Sequence, residues 1–479
     1  MEVDDLVDEF ADCDFGDARL NKRMSKIAAV LQKHPSQTIP SAFLARADWE
    51  ACYRFFANDS VTPQKLVKPH IDATRERIKE FDVALLVQDT TEIDLTRPKQ
   101  QVRGAGPMDC DSRRGAFFHP MMAMTPEGLP LGLVGAQIWT RESLKRESSE
   151  NKKKKREATP IEEKESYRWL VGLKNARETA VACPETSCVC IGDSESDIFE
   201  LYAMAHAFRQ EQKNLHLLVR AGHDRCTSEE IRWMQVVRET PLIATQTIHI
   251  RAREAKVKVN QSARSGAREG RTAEVEIRAT TVQVLRPNHL TNVPKFLAFN
   301  VVLVEEPNPP EGEPPIRWML ATTLPIETPE QIRTITEYYC TRWQIEVYFR
   351  TLKSGCRIEH RRFEEIDRIL NCLAVLSIVA WRVMYVTYLG RACPDMDCEV
   401  IFEPSEWKSV FAILRRPIPE KGCPKLQEVV RAIAILGGFV DRKKNNPGTQ
   451  SVWLGLQRCY DLSIGWNTFG PGAKNFSPN

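Results

Sequence analysis

The chain has no glycine-rich phosphate loop, no dinucleotide-binding fingerprint, no nucleophile elbow and no internal repeat. Those absences set aside Walker-type nucleotide hydrolysis, Rossmann redox chemistry and hydrolase-type acyl transfer, each of which needs its own motif. No apolar run reads as long enough to cross a membrane. The best candidate, Ile369–Tyr388, is interrupted by Asn371, Arg382 and Thr387 and reads as a buried helix. The first residues, Met-Glu-Val-Asp-Asp, are the opposite of a signal peptide's basic start. Fourteen cysteines are scattered along the chain. Cys183, Cys188 and Cys190 are the densest group, with no second pair or histidine at zinc-finger spacing. They read as reduced, packed cysteines of a cytoplasmic protein.

A length of 479 residues is too great for one ordinary core, so two to three domains are expected. Hydrophobic content of 42% and charged content of 27% are those of a globular protein. The net charge of +3 hides an uneven distribution. Residues 1–17 carry eight acidic and no basic side chains, residues 18–70 nine basic and three acidic, and residues 251–278 eight basic and four acidic. Local basic patches bear on nucleic-acid contact more than the sum does.

Residues 10–73 read as three to four helices, with Asp17 as a cap and Thr62-Pro63 opening the third. A helix is expected over Ala42–Asn58. Strands then follow at Val83–Asp89, Phe117–Thr125, Leu129–Thr140, Cys188–Asp193 and Leu215–Arg220, with a helix through Ile198–Arg209. The lysine run within Lys152–Arg156 reads as a solvated loop, with DNA contact as the other reading. Residues 240–325 alternate strictly in short runs, including Lys256–Val259, Val275–Arg278 and Val282–Leu285, which predicts an antiparallel insert. Helix is expected from Pro329 to about Arg391, followed by a mostly helical tail.

The stretch Tyr338–Lys353 carries the chemistry. Tyr339, Arg342, Glu346 and Lys353 stand at offsets of 0, 3, 7 and 14. At ~100° per residue these fall within roughly 60° of one helix face. Trp343 and Arg350 lie beside that stripe. A carboxylate can hold a metal ion, and the cations and phenol can hold phosphate oxygens. The plainer reading is a solvated face with charge pairs such as Glu346 with Arg350. Two strand-end acids, Asp89 and Asp193, complete the ligand set expected for a pair of magnesium ions in phosphoryl displacement. Hard oxygen ligands favour magnesium, with manganese as a substitute, over zinc.

On these residues the chain resembles the bacterial cut-and-paste transposases of the insertion-sequence-four family, DDE enzymes that excise through a DNA hairpin. Tyr339, Arg342, Glu346 and Lys353 match the family's Tyr-x2-Arg-x3-Glu-x6-Lys signature without a gap. Asp89, in Gln88-Asp-Thr-Thr, matches the first acid and Asp193 the second. The family's arginine after the second acid is Ser194 here, while Asp197 is kept, with a supporting role. Phe15–Arg19, Ala51–Phe56, Glu163–Trp169 and Leu436–Phe439 match further family segments.

The resemblance implies an α/β fold: a ribonuclease-H-like catalytic core with a β-rich insertion, flanked by helical N-terminal and C-terminal domains. The divisions expected are a DNA-binding domain at 1–70, the catalytic domain at 71–391 with its insertion at about 240–325, and a dimerisation domain at 392–479. The implied catalytic and metal-binding residues are Asp89, Asp193 and Glu346. The implied DNA contacts are Tyr339, Arg342, Lys353, Arg350, Arg220 and, as the base-flipping platform, Trp318. The implied partners are double-stranded DNA, both terminal inverted repeats and target, and a second copy in a paired-end complex, with no membrane. The expected location is the cytoplasm, at the nucleoid when DNA is bound. Two other functions stay open on the sequence: a two-metal nuclease that forms no hairpin, and a DNA-binding relative that does not cut.

Overall fold

The structure, a computed structural model, describes residues 6–43, 45–110, 112–142, 158–250, 269–442 and 445–471. In chain order the helices are α1 (Ala18–Lys33), α2 (Ile39–Phe43), α3 (Arg46–Phe56), α4 (Pro63–Ile78), α5 (Tyr167–Ala182), α6 (Phe199–Glu211), α7 (Trp233–Arg238), α8 (Pro329–Thr341), α9 (Gln344–Arg350), α10 (Ile366–Ala392), α11 (Pro404–Ile413), α12 (Leu426–Leu436) and α13 (Thr449–Phe469). The strands are β1 (Val83–Gln88), β2 (Thr91–Asp94), β3 (Gly106–Pro107), β4 (Arg114–Met124), β5 (Pro130–Trp139), β6 (Ser187–Gly192), β7 (Leu215–Arg220), β8 (Ala244–Ile250), β9 (Arg271–Leu285), β10 (Phe296–Glu305) and β11 (Arg317–Thr322). The chain is thus mixed α/β. It divides into two compact units: residues 1–147 with 343–479, and residues 148–342.

In the first unit β4 is the hub, pairing antiparallel with β1, β2, β3 and β5. Its apolar run is buried almost end to end, as befits a strand covered on both faces. α4 packs on β5 so closely that a Cβ at Gly132 would stand 2.0 Å from Thr74 Oγ1, and Gly132 has φ +147. α10 is the longest helix at 27 residues and apolar on every side. By length and composition it could cross a membrane, which the sequence reading did not allow. Its most apolar stretch is 94% buried inside the protein, as for a core helix. Trp381 on α10 donates its Nε1 proton to Pro130 O at 2.8 Å. Asn371, also on α10, donates to Phe56 O at 3.1 Å and Val61 O at 2.9 Å, tying down the end of α3.

Local signals hold where they are short-range. Asp17 accepts from Arg19 N, and Thr62 accepts from Lys65 N ahead of Pro63. The helix expected over Ala42–Asn58 is instead two, α2 and α3; Pro40 sits in the first turn of α2, where a missing N–H does no harm.

In the second unit β6 and β7 are parallel, joined through α6. β7, β11, β10, β9 and β8 then continue as an antiparallel run. The runs at Val275–Arg278 and Val282–Leu285 belong to one fifteen-residue strand, β9, not two. The alternation changes phase at Thr280-Thr281, where the buried positions pass from Ala279 to Val282, but the segment has no glycine or proline to turn the chain and the strand runs on. The expected strand at Lys256–Val259 and the Lys152–Arg156 run lie outside the described residues.

Candidate active site

In the first unit Asp89 follows the last residue of β1 and is 9% exposed. Its Oδ1 accepts from Thr90 N at 2.7 Å. The buried His119 of β4 reaches both neighbours of that acid, with Nε2 3.1 Å from Gln88 Oε1 and Nδ1 2.8 Å from Thr90 Oγ1. This support was invisible in the sequence, because His119 is only one polar letter in an apolar strand.

Glu346 lies in the first turn of α9 and Arg350 ends that helix, exposed. The single helix expected over Tyr338–Lys353 is interrupted twice. α8 stops at Thr341 and the chain turns at Arg342 and Trp343, with Arg342 N donating to Tyr339 O at 3.2 Å and Glu346 N to Trp343 O at 3.0 Å. Thr351–Gly355 then form a π turn, which shifts the angular register. The stripe computed at one angle per residue is therefore broken. Lys353, in the π turn, has Nζ 3.6 Å from Glu359 Oε1, and that oxygen accepts from Asp94 N at 3.0 Å.

In the second unit Asp193 follows β6 directly, and its Oδ1 accepts from Glu195 N at 2.8 Å to cap the turn Ser194–Ser196. Gly192 before it has no room for a side chain, since a Cβ would stand 2.3 Å from Ser196 Oγ. Arg220 ends β7 and donates from Nη2 to Ser194 Oγ at 3.1 Å. Tyr339 is 5% exposed, and its hydroxyl is enclosed. Burial pushes the Tyr339 phenol up; the nearby Arg220 and Arg342 cations oppose this, and Asp193 reinforces it. Trp318 on β11 meets the Tyr339 ring edge-on, with centroids 5.3 Å apart. This unit therefore brings together Asp193, Arg220, Trp318, Tyr339 and Arg342. Asp197 is buried in an ion pair with Arg225, a partner that no local pattern singles out.

Asp89, Glu346, Arg350 and Lys353 belong to the first unit. Among the described residues no three His, Cys, Asp or Glu side chains stand at metal-holding spacing. The donor chemistry itself fits a hard divalent cation, being carboxylate oxygen at two strand ends and one helix.

Three sequence families match the chain. The transposase DDE domain matches residues 137–381, the transposase DNA-binding domain residues 6–61, and the transposase Tn5 dimerisation domain residues 378–466. Asp193 and the whole of Tyr339–Lys353 lie within the first match, whereas Asp89 precedes it. Among solved structures, the chain is similar to that of a cryo-EM piggyBac transposase synaptic complex with hairpin DNA, at 9% identity and a TM-score of 0.38, over 100% of this chain and 84% of that one.

Proposed function

The chain belongs to the transposase DDE-domain family and is a DDE transposase with DNA-binding and dimerisation domains, and from that premise we propose that it carries out cut-and-paste transposition through a DNA hairpin. It is a bacterial enzyme of the insertion-sequence-four family, similar to the transposon-five transposase, with a ribonuclease-H-like core, and acts in the cytoplasm on nucleoid DNA. Residues 1–70 read the terminal inverted repeats, 71–391 hold the catalytic domain and 392–479 pair two copies in a paired-end complex. The observation that carries this reading is that the buried Tyr339 phenol feels the charges of Arg220, Arg342 and Asp193 within one unit, which sets two cations and a phenol suited to phosphate near one of the three acids.

Asp89, Asp193 and Glu346 would hold magnesium, with manganese as a substitute. A divalent ion held by those carboxylates would supply charge neutralisation for in-line displacement at phosphorus. Tyr339, Arg342 and Lys353 grip the phosphates around the flipped base and the scissile bond, Arg220 clamps the hairpin, Arg350 adds a further DNA contact, and Trp318 offers its face to a base drawn from the stack. Water first cuts one strand at the transposon end. The freed 3′ hydroxyl attacks the opposite strand and closes a hairpin, a second water opens it, and the hydroxyl then attacks target DNA. Each step is a displacement at phosphorus, so one set of side chains serves them in turn.

The test is cleavage of a labelled duplex carrying the element's end, with magnesium, by wild type and Glu346→Ala. A hairpin made by wild type and lost in the variant is expected. Cutting without a hairpin would point to a plain nuclease, and binding without cutting in either metal to a regulator.

A further inference from the structure

Among the described residues, every hydrogen bond of the buried Asp197 carboxylate goes to a tyrosine or to one short segment, Gly222–Arg225. Oδ2 accepts from Gly222 N and from His223 N, each at 2.8 Å. Oδ1 accepts from Tyr202 Oη at 2.8 Å and Arg225 Nε at 3.0 Å, with a further bond from Arg225 Nη2. Arg225 Nη2 also donates to the Asp197 carbonyl at 2.8 Å, and its guanidinium lies 5.1 Å over the Tyr202 ring. The Asp197 side chain is 0% exposed and that of Arg225 10%.

The gripped segment begins two residues after Arg220, at the end of β7. It also packs against the residue that follows Asp193: a Cβ on Gly222 would stand 3.3 Å from Ser194 O and 3.4 Å from Ser194 Cβ. Arg220 completes the circuit through its bond to Ser194 Oγ. Ala221 N, between the two, is held by Met319 O at 2.7 Å, next to Trp318. The backbone just after Arg220 is therefore fixed from outside at Ala221 by Met319 O and at Gly222 and His223 by Asp197.

We propose that Arg225 is a positioning residue for strand cleavage: through Asp197 it sets the turn after β7, and so holds Arg220 against Ser194, the residue that follows Asp193. The proposal rests on the reading of Asp193 and Arg220 given above. A planar guanidinium reaches the Asp197 carboxylate and its carbonyl at once, which a single ammonium cannot do in the same geometry. Arg225→Lys keeps the charge and loses that fork.

The experiment uses the full chain, a duplex carrying the inverted repeat of the element, and magnesium. Single-turnover cleavage, gel-shift binding and melting temperature are measured for wild type, Arg225→Lys, Arg220→Ala, the double variant and Asp193→Asn. Folded Arg225→Lys is expected to bind end DNA as wild type does and to cleave about 10- to 100-fold more slowly. In the Arg220→Ala background it should add no further loss, because it acts through that side chain. Wild-type cleavage by folded Arg225→Lys, or a loss that multiplies with that of Arg220→Ala, would overturn the proposal. If Arg225→Lys does not fold, Tyr202→Phe, which removes one hydroxyl from Asp197, gives the same comparison with a smaller expected loss; no loss, or a multiplying one, overturns the proposal equally. Asp193→Asn that cleaves like wild type would instead defeat the site reading itself.

Discussion

Two buried acid–arginine networks, one in each unit, use nearly the same parts to different ends. In the first unit Glu9 is bound by Arg77, with Nη1 2.7 Å from Oε1, and by His70 Nδ1, 2.5 Å from Oε2. In the second, Asp197 is bound by Arg225 and Tyr202. Both acids are almost wholly enclosed, at 2% and 0% side-chain exposure. The difference lies in where the remaining bonds go. Those of Glu9 end on side chains of α4, so the network staples the N-terminal turn Asp8–Phe10 to a helix. Those of Asp197 end on the backbone N–H groups of Gly222 and His223, so that network shapes a loop beside Asp193 and Arg220. What an ion pair contributes is decided by the backbone it restrains, as much as by its own energy.

The comparison is broken most severely at Arg77. Arg77→Met leaves Glu9 buried without its cation and removes the stacking over Trp381, so a loss of about 3–5 kcal/mol is expected in thermal or urea unfolding. Cleavage by the folded fraction should be unchanged; a rate loss at full folding would erase the distinction between the two networks.

Acid sharpens the same contrast. Burial pulls the Glu9 carboxyl up, but His70 and Arg77 outweigh it and hold it at about 2, against an ordinary 4.5. A lowered carboxyl contributes stability that is present above about 4.5 and lost as pH falls through about 2, here about 3 kcal/mol. Burial lowers the His70 imidazole, although Glu9 opposes the shift. Leu133 N donates to its Nε2 at 2.9 Å, so the neutral ring suits the site and its contribution also fades as pH falls below 6.5. The melting-temperature gap between wild type and Glu9→Gln should therefore close between pH 4.5 and 2. A gap constant across that range would contradict this account.

Tyr202→Phe removes one hydrogen bond to a buried carboxylate and should destabilise by about 1–2 kcal/mol. Its cleavage rate should fall as well, which distinguishes it from Arg77→Met. The smallest effect belongs to Glu359→Gln. The Lys353–Glu359 pair is 29% and 26% exposed, so its loss should change the unfolding free energy by less than about 1 kcal/mol. A larger change would mean that the π turn depends on this pair.

The strands that lead into Asp89 and Asp193, and the one that ends at Arg220, are legible because each is a short apolar run with a charged letter at its close. The caps at Asp17 and Thr62 are legible because capping acts over two or three residues. The break after Thr341 is not. Residues 338–353 contain no glycine or proline before Gly355, so nothing local predicts it, and it falls where the chain passes from one compact unit to the other, between Arg342 and Trp343. The π turn is equally silent in the sequence; in the fold its Gly355 abuts the Trp453 ring of α13, where a Cβ would lie 3.1 Å away.

By itself, the sequence determines the order of the elements, the apolar faces and the spacing of Tyr339, Arg342, Glu346 and Lys353, because all of these are properties of neighbours along the chain. Only the tertiary structure decides that Arg225 holds Asp197, 28 residues away, that Ser194 receives Arg220, and that His119 bridges the residues on either side of Asp89. These are hydrogen bonds between groups that packing has removed from water, and their partners are selected by which strand ends and turns the fold brings within about 3 Å of one another.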